Sequence, residues 1–262
     1  MLSYQVVQLT FMMGLLSNLV FALPGPLKVA TMFTRLYDEI GHIKLSECSI
    51  SGSVLPLNDT KDRLPSPSHG LNLKYIAIGR GTQNYSCPTS TSLESEIVIK
   101  PTAVGAAATL FDASCVASQS LALLHELPPL VGGASVESLG LLAETLGLTT
   151  NSTNLILGEH YFNAAGDPVF DLRLGGSDDF AVTAKNASAD APEPKEGPKG
   201  KPCLKNEAEA EDVAWLKLNK KSGNGIQEVY RVVTYEGSPP SSCAGQNATV
   251  LVQYAAEYWF YG

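Results

Sequence analysis

Between Thr249 and Tyr261 the chain alternates with a period of two. Val250, Val252, Tyr254, Ala256, Tyr258 and Phe260 share one face, as the inward side of a long strand requires. Similar short apolar runs predict strands over 71–78, 82–87, 106–112, 155–162, 168–172, 180–184, 213–218 and 226–235. Gly79-Arg80-Gly81, Ala165-Gly166-Asp167 and Ser222-Gly223-Asn224-Gly225 read as turns between them. Residues 113–150 break the rhythm. Helices are predicted over 117–126 and 135–146, parted by Pro128-Pro129, with Ser135 capping the second and Gly147 ending it. Val136, Leu139, Ala143 and Leu146 form its apolar stripe.

Two stretches carry no such pattern. Residues 23–70, with Pro56, Pro65, Pro67 and Gly70, read as an irregular arm. Residues 186–212 hold four prolines, eleven charged side chains and one large aliphatic residue, Leu204, and read as a disordered loop. The expected fold is mostly β: an antiparallel β-sandwich or barrel-like sheet, one domain over 71–262, with a small helical insertion at 113–150.

Composition changes the picture in one direction. The chain is 44% hydrophobic and 17% charged, with a net charge of −8 and no sustained basic patch, which excludes a nucleic-acid partner. The first 27 residues carry no charge, 6–20 are mostly apolar, and Val20-Phe21-Ala22 has the spacing of a signal-peptidase site. Residues 1–22 are therefore expected to be a secretory signal, leaving no membrane span after cleavage. An uncleaved anchor over 6–23 is the alternative, made poor by Gln8, Ser17 and Asn18. N-x-S/T sequons at Asn58, Asn84, Asn151, Asn186 and Asn247 agree with export to an extracellular location. Cys48, Cys87, Cys115, Cys203 and Cys243 form no C-x-x-C pair, which suits two disulfides and a spare thiol, assigned to Cys203.

Candidate chemistry is sparse. Ile76-Ala77-Ile78-Gly79-Arg80-Gly81 resembles the start of a dinucleotide fingerprint, but Asn84 replaces the third glycine and no helix follows to hold a pyrophosphate. No cofactor is expected. There is no G-x-S-x-G, and His125-Glu126 lacks the second histidine of a zinc helix. The best polar constellation is Glu159, His160, Asp167 and Asp171, where a tight turn could bring Glu159 or His160 to Asp171 as an acid/base pair or half a metal site. Alternation alone explains that spacing, as a hydrogen-bonded histidine on a hairpin, so no metal is assigned. Trp259 and Tyr261, on the outer face of the last strand, are the candidate platform for a sugar ring.

The run Leu73 to Cys87 (LKYIAIGRGTQNYSC) resembles the opening of an extracellular family of fungi and bacteria, domain of unknown function 3455. So do Thr109 to Cys115, Gly158 to Phe162, Pro168 to Leu172, Trp215 to Leu218, Glu228 to Val232 and Val252 to Tyr261. These blocks stand in the family's order over roughly 48–262. The resemblance implies a secreted, β-rich protein and brings no catalytic residues. Many fungal members carry the label malate dehydrogenase, to which the incomplete fingerprint gives no support. The leading reading is a non-catalytic extracellular binding or surface protein whose partner is a carbohydrate or another extracellular protein. The alternative is a hydrolase or metal-dependent enzyme centred on Glu159, His160 and Asp171. Of the three pairings open to four cysteines, Cys87–Cys243 and Cys48–Cys115 are the ones expected.

Overall fold

The computed structural model describes residues 26–88, 98–150, 155–192 and 211–262. The expected signal at 1–22, the Asn151 sequon, Cys203 and most of the predicted loop (193–210) lie outside the described residues.

Eight strands follow in chain order: β1 Leu73–Ser86, β2 Thr102–Asp112, β3 Ile156–Phe162, β4 Pro168–Asp171, β5 Phe180–Ala189, β6 Trp215–Asn224, β7 Glu228–Glu236 and β8 Thr249–Tyr261. Each pairs antiparallel with the next, and β8 returns to β1, so the sheet closes into a barrel. Of the two architectures that alternation allows, closure is the one that leaves no edge strand unpaired. The inner face of β8 is the predicted one: Tyr254, Ala256, Tyr258 and Phe260 pack with Leu110, Phe170, Leu172, Ile226 and Val229.

Gly79-Arg80-Gly81 is not a turn. β1 runs through it as one strand, paired to β2 on one side and β8 on the other. The glycines serve close packing: a Cβ on Gly79 would run into the Tyr258 ring, and one on Gly81 into the Ala107 carbonyl.

A helical layer covers the outer face of β1, β7 and β8. It consists of α1 Pro26–Ile40, α2 Ser114–Gln119, α3 Leu121–Gly132 and α4 Val136–Thr150. The arm is therefore not irregular throughout, since Met32, Leu36 and Ile40 of α1 lie one turn apart and are buried in the outer core. Nor do Pro128 and Pro129 end a helix, since α3 continues through both. Each proline costs about 3 kcal/mol in a helix interior. Leu124, Leu127, Leu130 and Val131 are all buried on this helix, each contributing about 2 kcal/mol, which offsets the defect. Cys48–Cys115 fastens the arm to α2 and Cys87–Cys243 closes the end of β1 onto the segment before β8, with Cα separations of 5.2 and 5.5 Å. Both pairs are the expected ones.

Candidate functional site

The closed register sets outward residues of neighbouring strands side by side. One row runs Ala255, Arg80, Thr109, Glu159 and Asp171 across β8, β1, β2, β3 and β4. Two residues along, Gln253, Thr82 and Ala107 form a second row on the same face, and Tyr161, two residues beyond Glu159 on β3, lines the cleft with them. The turn from α3 into α4 hangs over these rows with Ser135, Val136 and Glu137. Between wall and roof lies an open cleft of about 590 Å³.

Arg80 holds floor and roof together. Arg80 is 4% exposed. It donates to the carbonyls of Gly132 (2.9 Å) and Ala134 (3.0 Å) under the roof, and to Gly81, Tyr254 and the Gln253 side chain (2.6 Å) in the floor. Burial pulls its pKa down, countered by surrounding anionic groups, Glu236 first. An arginine only donates, so the Gln253 atom facing it is Oε1 and the amide NH2 is left for the cleft. Glu137, in the first turn of α4, accepts from its own backbone N–H and from Ser135, which holds its carboxyl below the usual range. Glu159 is exposed in the wall, with the Thr109 hydroxyl beside it in the row.

The constellation read from the sequence does not converge. Glu159 and Asp171 are opposed across β3 and β4, but His160 faces the other way into the barrel. There its ring stacks on Phe170 at 4.3 Å and its Nδ1 meets the Val169 carbonyl at 2.9 Å. Burial lowers its pKa to about 4, so it stays neutral near pH 7. Asp171 is taken by Arg173, whose Nε donates to it at 2.8 Å and holds its carboxyl below the usual range. Asp167 pairs with Lys221 at the hairpin tip. The acid/base and half-metal readings therefore lose their histidine. Among the described residues no three His, Cys, Asp or Glu side chains are grouped as metal ligands.

The sugar platform on β8 fares no better. Trp259 has no exposed surface, and Tyr261 is buried beside Tyr230. What the sequence missed there is Glu257, an acidic residue in the most apolar strand. It is fully buried, accepting from the Trp259 indole at 2.9 Å and pairing with His125 Nδ1 of α3 at 2.7 Å. Burial pushes its pKa up against the opposing pull of His125. The dyad pins α3 to the barrel wall.

A second cavity, about 80 Å³ and almost wholly apolar, lies between α1, α4 and the wall, lined by Leu36, Ile78, Phe111, Leu139 and Leu146. It is far below the few hundred Å³ of a ligand pocket. Of the sequons, Asn58, Asn186 and Asn247 are exposed, while Asn84 is half-buried in β1 and accepts from the Thr82 hydroxyl.

Comparison with known proteins bears on the wall itself. The family model described as "Protein of unknown function (DUF3455)" matches residues 67–262, the whole barrel. The chain belongs to the DUF3455 family. All the cleft residues named above fall within the match. No curated protein and no solved structure matches this DUF3455 chain.

Proposed function

We propose that this DUF3455 protein is a secreted, N-glycosylated, non-catalytic binding protein whose ligand seats in the cleft over β1, β2, β3 and β8. The carrying observation is the cleft: an open, hydrogen-bonding concavity on a rigid wall, roofed by a turn that a buried arginine ties to the floor. Two disulfides are compatible with an extracellular protein. The apolar 1–22 segment and the sequons at Asn58, Asn84, Asn151, Asn186 and Asn247 support the same location. The non-catalytic part rests on His160 facing inward and on Asp171 being held by Arg173, which among the described residues leaves Glu159 without the histidine partner of an acid/base pair.

The test is a ligand screen by thermal shift and on glycan microarrays, with wild type and Glu159→Gln side by side. Glu159 is exposed, so the variant is expected to keep the wild-type Tm and to lose at least tenfold in affinity for a genuine ligand. A ligand indifferent to Glu159→Gln would place the site elsewhere. Turnover of a ligand at the cleft would remove the word non-catalytic.

A further inference from the structure

Resting on the cleft as the binding site, we infer that its ligand is a non-acidic oligosaccharide, uncharged or amino-bearing, laid across the strands from Gln253 to Tyr161.

Length comes first. Gln253, Thr82, Ala107 and Tyr161 stand on four successive strands. At about 4.8 Å per strand they span about 14 Å, longer than a single sugar ring. The ligand is therefore an oligomer.

Hydrogen bonding comes next. The row offers one amide donor fixed in direction, because Arg80 holds Gln253 by its oxygen at 2.6 Å. Thr109 supplies a hydroxyl that can donate and accept, and Thr82, whose proton goes to Asn84, one that accepts. Glu159 in the wall and Glu137 in the roof only accept. Such a set of alternating donors and acceptors is answered by groups that can do both, which is the property of a run of hydroxyls. Tyr161 adds an aromatic surface at the far end, while Ala107 and Val136 are small or apolar and suit the C–H face of a ring.

Charge decides the rest. Among the described residues Arg80 is the one cation lining the cleft, and its hydrogen bonds go to four carbonyls and an amide oxygen, so it offers little to an incoming anion. Glu137 and Glu159 repel one. A uronate or sulfated chain is excluded, whereas a hydroxyl or a protonated amine beside Glu159 is accepted.

Calorimetric titration with tetrasaccharides tests this: neutral hexoses in α and β linkage, a protonated amino-sugar chain, and a uronate chain of equal length. The variants are Glu159→Gln and Gln253→Glu. The second keeps the side-chain shape and puts a carboxylate against Arg80, so it spares the fold while removing the donor. At least one neutral or amino chain is expected to bind, with the uronate at least tenfold weaker. Each variant is expected to weaken binding at least tenfold at unchanged Tm. Uronate binding equal to or tighter than neutral binding overturns the inference and leaves the cleft reading standing. So does a non-saccharide ligand that responds to Glu159→Gln while every sugar fails. If sugars bind but neither variant matters, the cleft is not their site and both readings fall.

Discussion

His160 is the side chain whose position most changes the reading of this chain. It is an ordinary titrating group in the unfolded chain near 6.5, but buried against Phe170 it protonates only at about 4. Between those two values the unfolded chain takes up a proton that the folded barrel refuses. The stabilisation is complete above about pH 6.5 and is lost as pH falls towards 4, an effect worth about 3 kcal/mol. His160→Phe keeps the stacking and removes the titration. Urea unfolding at pH 7.5 and pH 4 is expected to show a smaller acid loss in the variant, offset by a neutral-pH cost of about 1 kcal/mol for the lost bond to Val169. An identical pH dependence in both proteins would contradict the assignment. The residue also shows what sequence could and could not tell. Neighbours in a strand must face opposite sides, so Glu159 and His160 were bound to part company. Which of them faces the core depends on a register that no local pattern contains.

At the level of elements, alternation carried β8, because that signal is local, whereas Ser222-Gly223-Asn224, read as the turn before β7, lies inside β6 paired to β5, and the chain turns only at 225–227. Gly79-Arg80-Gly81 misled because glycine marks a turn and a close backbone approach equally well, and only the closed barrel brings the Tyr258 ring and the Ala107 carbonyl against it. The stripe Met32, Leu36, Ile40 was legible in principle, masked by the prolines that follow it. The Pro-Pro pair misled for the opposite reason: tertiary burial of α3 overrides a local defect. A β-bulge between Val232 and Tyr235 in β7 adds one residue and turns Tyr235 outward, opposite Ala255 and onto Gly132 at the end of α3. Gly132→Ala would drive its Cβ into that buried ring. A loss of about 1–3 kcal/mol is expected. Because Arg80 reaches the roof through the Gly132 carbonyl, weaker ligand binding should accompany it. Thermal unfolding and a titration read both, and a variant with unchanged Tm would show that the Tyr235 contact is not tight.

On the scale of the whole molecule, the barrel supplies a stiff wall, and the helical layer supplies the roof of the cleft. Arg80 joins the two, and Glu257–His125 fastens the helix that leads into the roof. None of this was visible along the chain, since the cleft draws short runs from three strands, Gln253 from a fourth, and one turn, separated by up to 173 positions. The measurement that bears most directly on it is a two-dimensional amide NMR titration of the full protein with a neutral tetrasaccharide that binds. The account predicts shifts concentrated at residues 80–82, 107–109, 135–137, 159–161 and 253, with the opposite wall of β5 and β6 silent. Shifts concentrated on β5 and β6, or at the barrel ends, would contradict it.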